Sequence, residues 1–299
     1  MLDEYVRGKA TRISPEGPIM VLKVDYRYYR PGGAGNVAAN VAALGGHAFL
    51  TGVIGRDAHA KELLGVIRRP DMRGAFVEDD RPTTTKTRFL GQHDMPLPIR
   101  CDEELTEPIA GRAQTKVCSI IRKTKASAII ISDYAKGVIT QRVYDTAKEI
   151  ADHRYIPLLV DPKPEGKVNY YGASVIKFNH TEACKYLGVN EENGAGIKGI
   201  GKRLVESLDA NIVITRAEEG VSIFYKDGKT ADVPTQAHEV ADVSGAGDTF
   251  IAALAMGYSR RLNNLEHAVR IANVAAGIKV ATKAGAVPVR YEELREAMR

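Results

Sequence analysis

Ala128-Ile129-Ile130-Ile131, a helical pattern from about Thr140 to His153, then Ile156-Pro157-Leu158-Leu159-Val160: this stretch decides the fold. Both apolar runs are short and lack the polar alternation of a half-exposed strand, so each reads as a strand buried on both faces. A helix joining two such strands is a parallel crossover. The pattern repeats in Ser174-Val175-Ile176-Lys177, a short helix through Tyr186, a helix from about Gly194 to Leu208, and Asn211-Ile212-Val213-Ile214-Thr215. The expectation is an α/β protein with a mostly parallel central sheet and helices on both faces. Ligands of such sheets bind beyond the carboxyl ends of the strands, where Asp133, Asp161, Asn179 and Arg216 fall.

Two segments depart from this rhythm. Ile19 to Tyr29 and Thr84 to Cys101 read as extended, with polar and basic faces, and His93-Asp94-Met95-Pro96 reads as a hairpin turn. A small antiparallel sheet, from about 10–30 and 82–102, is expected as a lid on a single domain spanning 1–299. The plainer reading is an ordinary surface hairpin.

Bulk composition sets outer limits. The 299 residues suit one sizeable α/β domain, and 44% hydrophobic with 26% charged residues is ordinary for a globular protein. A net charge of +5 is spread along the chain without a Lys/Arg run, which disfavours nucleic acid and suits phosphate substrates. Three scattered cysteines (Cys101, Cys118, Cys184) make neither a disulfide frame nor a zinc site, and reduced thiols fit the cytoplasm. No apolar run is long enough to cross a membrane, and the start of the chain has no signal-peptide pattern.

Chemistry concentrates in two Gly-rich segments. Asp242-Val243-Ser244-Gly245-Ala246-Gly247-Asp248-Thr249-Phe250 precedes an apolar helical stretch, Ile251 to Tyr258. Glycines at a helix start let several N–H groups and the helix dipole converge on one anion. Asp248 beside that hole could take a proton from an attacking hydroxyl. The plainer reading is a turn followed by a helix-start acid. The second segment, Arg30 to Ala42, contains Gly32-Gly33-Ala34-Gly35-Asn36 and Asn40, two asparagines one helical turn apart that could meet sugar hydroxyls. It also matches a GxGxxA dinucleotide fingerprint at Gly33, Gly35 and Ala38, with Asp57 beyond. An NAD-dependent oxidoreductase is therefore a rival reading, although Asp25 to Pro31 separates the fingerprint from any apolar strand.

Taken together, the early Gly-Gly-Ala-Gly-Asn, the late Asp-Val-Ser-Gly-Ala-Gly-Asp-Thr and Asn179-His180-Thr181-Glu182 between them resemble the signatures of the ribokinase-like (PfkB) carbohydrate kinases. The resemblance spans nearly the whole chain. It implies a ribokinase-like three-layer sandwich with an antiparallel β lid, and ATP-dependent phosphorylation of a sugar. Arg12 to Pro18, Arg30 to Gly33, Ser132 to Gly137, Asp161-Pro162-Lys163 and Pro234-Thr235-Gln236 resemble the heptose 7-phosphate kinase branch. That branch implies phosphorylation of the anomeric hydroxyl of D-glycero-β-D-manno-heptose 7-phosphate to the 1,7-bisphosphate, which feeds ADP-heptose and lipopolysaccharide core synthesis. Other readings on the same fold are a kinase for another sugar, such as fructose or ribose, and a non-catalytic sugar or nucleotide sensor.

The resemblance also implies roles by position. Asp248 is the base, and Gly245, Ala246 and Gly247 form the anion hole. Asn179 and Glu182 organise Mg²⁺ through waters. Gly32, Gly33 and Asn36 contact the sugar, and Asp133 and Lys136 lie near the phosphate path, with Lys163 held loosely beside them. Thr215, Arg216 and Gly220 begin the nucleotide pocket, and Asn273, in a helix from Leu265 to Ala281, lies on the adenine side. A sugar phosphate needs further cations, for which Arg12, Lys86, Arg88 and Arg100 around the lid are candidates. Their plainer reading is a solvated basic face.

Family members place a strand ahead of Met1-Leu2-Asp3, so an inner strand of the sheet is expected to be absent or replaced, which leaves the role of Asp3 at the sugar open. A homodimer through the lid and a separate nucleotidyltransferase are the expected partners, with no nucleic acid or membrane contact.

Overall fold

The structure, a computed structural model, describes residues 1–92, 95–190, 196–235, 244–260, 264–282 and 287–299. The expected turn at His93 and Asp94, the loop at Asn193 to Ala195, and Asp242 and Val243 of the Gly-rich motif lie outside the described residues.

The largest sheet contains β7 (Ile129–Asp133), β8 (Leu158–Pro162), β9 (Val175–Asn179), β10 (Asn211–Thr215), β11 (Val221–Phe224) and β12 (Thr230–Val233). Its order is β12-β11-β10-β9-β8-β7, with β7 to β10 mutually parallel and the last two strands antiparallel. All four apolar runs marked in the sequence are these parallel strands, because only a strand covered on both faces needs so unbroken an apolar run.

Helices cover both faces. On one side α4 (Gln141–Arg154), α5 (His180–Leu187) and α6 (Gly196–Leu208) pack Tyr144, Cys184 and Leu204 against Ile131, Ile176, Phe178 and Ile212. On the other, α1 (Ala34–Ala43), α7 (Ala246–Arg260) and α8 (Leu265–Thr282) pack Val37, Phe250 and Val269 against Leu159, Val175 and Val213. Alternate strand residues thus serve alternate cores.

A smaller parallel pair, β3 (Ala48–Ile54) and β4 (Met72–Glu78), lies apart from the large sheet, with α2 (Ala58–Ile67) between the two strands in the chain. A cleft of about 560 Å³ is lined by β3 along one wall and β7 along the other, with Met1 at its rim. No strand joins β3 to β7 among the described residues. The hydroxyls of Thr51 on β3 and Ser132 on β7 are buried without a partner.

The third sheet is mixed. It consists of β1 (Leu2–Ile13), β2 (Met20–Pro31), β5 (Thr85–Leu90) and β6 (Pro96–Glu103), in the order β2-β1-β5-β6. Two pairs are antiparallel as expected, but β1 runs parallel to β5 between them. The extended region therefore begins at Leu2 rather than near residue 10. The sequence conceals β1 because its buried half, Leu2-Asp3-Glu4-Tyr5-Val6, carries two carboxylates that are satisfied only by partners across the sheet. The remaining helices are α3 (Gly111–Lys123) and α9 (Tyr291–Ala297).

Asp57 ties two of these units together. One oxygen caps α2 by accepting from the Ala60 amide at 2.8 Å, and the other accepts from the Thr83 amide at 2.7 Å, at the entry to β5. Asp57→Ala should cost about 1–2 kcal/mol of stability. Urea denaturation should show it as a lower midpoint with an unchanged slope.

Candidate active site

The first turn of α7 is built around one buried carboxylate. Gly245 adopts φ 77°, and the Thr249 amide donates to its carbonyl at 3.0 Å, which closes the turn. Asp248 follows within that turn and is only 6% exposed. The Asn36 side-chain amide donates to its Oδ2 at 2.7 Å, and the Tyr134 hydroxyl donates to its Oδ1 at 2.8 Å. Asn36 comes from the head of α1 and Tyr134 from the end of β7, so three elements meet on one carboxylate.

Close approach explains the glycines here. A Cβ on Gly245 would stand 3.1 Å from Asn36 Nδ2, and one on Gly247 would stand 3.1 Å from Lys177 Nζ. At a helix start the first amides have no partner within the helix, so this turn offers N–H groups to an anion beside the carboxylate. Burial pushes the Asp248 pKa up to about 6, against the opposing hydrogen bonds from Asn36 and Tyr134. A base near neutrality beside an anion cradle is suited to proton removal from a hydroxyl.

A second cluster lies at the ends of β8 and β9. Lys177 is 4% exposed and donates to Asp161 Oδ1 at 3.1 Å. Burial raises the Asp161 pKa, against the pull of Lys177. Asn179 and Glu182 form a reciprocal cap on α5: Asn179 Oδ1 accepts from the Glu182 amide at 2.7 Å, and Glu182 Oε2 accepts from the Asn179 amide at 2.9 Å. The other Glu182 oxygen meets Lys163 Nζ. This oxygen-rich pair fits Mg²⁺ only through intervening water, because its side-chain oxygens are already engaged. Among the described residues no group of three or more His, Cys, Asp or Glu side chains could hold a metal directly.

On the opposite side stand the residues expected at the sugar. Gly33, at φ 53°, lies against the Tyr134 ring, and Gly32 lies against the Asp3 carboxylate. Asp3 accepts from Arg88 at 2.7 Å, and Arg88 lies over the Tyr5 ring. Arg30 lies over both Tyr5 and Tyr28. Asp3 is thus brought beside Gly32 and the site.

Several residues expected at the sugar or phosphate path have partners inside the protein. Asp133 accepts from the Tyr170 hydroxyl at 2.5 Å and the Ala135 amide at 2.8 Å, which supports the left-handed Ala135. Lys136 pairs with Glu104 at 2.6 Å. Lys86 is held by Asp102 and Glu104, and Arg100 by Asp102 through two bonds. Asn40 is turned inward to Asn36 and the Thr249 hydroxyl.

The expected nucleotide residues gather elsewhere along the same edge. Thr215 ends β10, and Arg216 and Gly220 bracket the short 3-10 turn Ala217–Glu219. Arg216 is held by Glu219 and Asp232, and Asn273 on α8 donates to the Pro234 carbonyl at 2.8 Å. The rival dinucleotide fingerprint opens α1, but it follows β2 of the mixed sheet instead of a strand of the parallel sheet, so its geometry is absent.

Tyr134 and Lys177 carry no assigned role in the sequence reading. Tyr134 gives no pattern signal, because its partner lies 114 residues away. Lys177 does give one: a lysine inside the apolar run of β9 faces a core, where an ammonium is rarely left without a purpose.

A parallel sheet whose strand ends face a buried carboxylate at the head of a helix, opposite a second, mixed sheet, is the architecture of the ribokinase-like phosphotransferases. Phosphofructokinase-2 from Escherichia coli, in complex with potassium, shares this fold with a TM-score of 0.81 at 18% identity, covering 100% of this chain and 96% of that one. Ribokinase from Arabidopsis thaliana, complexed with ribose and ATP, gives a TM-score of 0.73 at 19% identity over 100% and 96%. The model of the pfkB family of carbohydrate kinases matches residues 7–290, and the chain belongs to that family. It is 39% identical to the bifunctional protein HldE of Trichlorobacter lovleyi over 100% of its own length and 61% of the relative's. A second HldE, from Geobacter metallireducens, is 39% identical over 94% and 58%. The chain thus spans about three fifths of the length of these curated relatives.

Tyr134→Phe removes a donor that favours the ionised carboxylate. It should therefore raise the Asp248 pKa above about 6, by about 0.5–1 unit. Carboxyl-carbon NMR titration of the folded protein, compared with Asp248→Asn to assign the resonance, should show that upward move.

Proposed function

We propose that this chain transfers the γ-phosphoryl group of ATP to the anomeric hydroxyl of D-glycero-β-D-manno-heptose 7-phosphate, giving the 1,7-bisphosphate. The observation that carries the kinase reading is Asp248, a buried carboxylate with a pKa near neutrality, fixed from both sides beside the Gly245–Gly247 turn. The resemblance of five segments to the heptose 7-phosphate branch and the HldE names of two relatives support the choice of sugar.

In the proposed reaction Asp248 accepts the proton as the sugar oxygen attacks. Asn36 and Tyr134 hold its two oxygens, so the carboxylate needs no rotation before it acts. The amides of Gly245, Ala246 and Gly247 receive negative charge on the migrating group. Mg²⁺ would neutralise phosphate charge, held through water by Asn179 and Glu182. Thr215, Arg216, Gly220 and Asn273 line the nucleotide side. Gly32, Gly33 and Asp3 border the sugar.

Arg88 is the proposed holder of the sugar's own phosphate, with Asp3 releasing its grip on substrate entry. Lys86 and Arg100, satisfied by Asp102 and Glu104, shape that wall of the mixed sheet and would carry less of the contact. The sheet would act as the lid that keeps water from the phosphoryl group. Ile13, Ile19, Met20 and Ile99 are exposed on its strands and the β1–β2 turn, which supports pairing of two copies through it. A nucleotidyltransferase would then consume the product.

Four outcomes test this. Turnover of ATP should be at least about 100-fold faster with heptose 7-phosphate than with fructose 6-phosphate or ribose. Asp248→Asn should bind ATP nearly normally and lose at least about 100-fold in kcat, and near-normal turnover would remove Asp248 as base. In the wild type, kcat/KM should rise with pH through about 6 and then level, because the base is protonated below that value. Arg88→Gln should raise KM for the sugar phosphate about 10-fold or more with little change for ATP, whereas equal effects would count against its role.

A further inference from the structure

Lys177 is a buried cation of the site that the proposed reaction does not yet use. Its position follows from the strand: Val175 and Lys177 point to the α7 side of the sheet, while Ile176 and Phe178 point to the other core. The side chain is 4% exposed and ends beneath the glycine turn, 3.1 Å from the place a Gly247 Cβ would occupy. An ammonium has three donors. One goes to Asp161 Oδ1 at 3.1 Å, and among the described residues no other hydrogen-bond partner takes the remaining two. Asp161, Glu182 and Asp248 hold the charge against burial, and two donors stay open to a further acceptor.

What arrives can be named from the surroundings. The neighbours are Gly247 of the glycine turn and the carboxylate of Asp248. The unused donors and the unpaired amides therefore belong to the same small space, and both call for anionic oxygens. Asp161 Oδ2 is 4.0 Å from the same Gly247 position, so the carboxylate stands beside the ammonium as its counter-ion. It fixes the lysine without filling its remaining donors.

We infer that Lys177 is a catalytic residue, its ammonium donating to the oxygens of the phosphoryl group during transfer, with Asp161 as the positioning residue that aims it. The inference rests on the kinase reading above. In the step, the bond from the terminal phosphorus to the bridging oxygen breaks and ADP keeps the electron pair. The new phosphorus–oxygen bond forms to the sugar hydroxyl, whose proton passes to Asp248. Lys177 keeps its proton throughout and offsets charge that grows between the two oxygens.

The test compares ground-state with transition-state binding. Lys177→Met should lower kcat by about 100-fold or more while KM for ATP and for the sugar changes less than about threefold. Its affinity for ADP with aluminium fluoride and sugar, a mimic of the phosphoryl group in flight, should fall by a similar factor. Its affinity for a non-hydrolysable ATP analogue should stay within about threefold. Because Lys177→Met leaves Asp161 buried without its partner, the neutral pair Lys177→Met/Asp161→Asn provides a folded alternative, checked by circular dichroism. Turnover in a folded variant within threefold of wild type, or equal loss of both analogues, would overturn the role of Lys177 and leave the kinase reading standing. A wild-type protein that transfers no phosphoryl to any sugar would take both down.

Discussion

A carboxylate almost sealed from water must be held, and the way Asp248 is held organises the rest of the site. Its two oxygens accept from Asn36 and Tyr134, which belong to the starts or ends of different elements. Those two bonds fix the distance between α1 and α7 and the course of the chain after β7. They also explain the inward Asn40, which locks Asn36 from behind and reaches the hydroxyl of Thr249, the residue after Asp248. Burial raises the affinity of the carboxylate for a proton, and the two donors restrain that rise. The balance leaves a group able both to take a proton and to release it.

Charge is concentrated behind this group. Lys177, Asp161, Glu182 and Lys163 alternate in sign across the ends of β8 and β9 and the start of α5. Buried ions are expensive unless each has a partner, and mutual pairing keeps the cost tolerable. The same economy governs the mixed sheet, where Asp102 and Glu104 occupy Lys86, Arg100 and Lys136. A basic stretch in sequence is therefore no measure of free positive charge in the fold. Of the expected lid cations, Arg88 differs from Lys86 and Arg100 in being tied to Asp3 at the border of the site and stacked over Tyr5.

The parallel core was legible because its signals are local. An apolar run of five residues needs no distant partner to be recognised, and β10 matches its expected limits residue for residue. The same holds for α4 and α8, whose ends lie within a residue or so of expectation. The turn at Gly245 and the acid at the head of α7 were legible for a similar reason, since they lie within a few residues. What the sequence left unseen has the opposite property. Asp133 and Lys136 gain Tyr170 and Glu104 as partners only in the folded chain. The strand β1 was hidden because its acids are matched by Arg27, Thr87 and Arg88 from neighbouring strands. Tyr134 shows no pattern at all, because only the folded chain brings it to Asp248.

The separation of β3 from β7 has a consequence for how the two parts are joined. The two sheets on either side of that cleft carry no shared backbone ladder among the described residues, so side chains and helices alone connect them. Helix α1 is the chief tie, with Val37 and Val41 in the larger core and Ala38 and Ala39 in the smaller one. Asn36 sits at the head of that tie. The helix that spans the seam therefore also carries the amide that holds Asp248, so packing on either side of it bears on a single hydrogen bond.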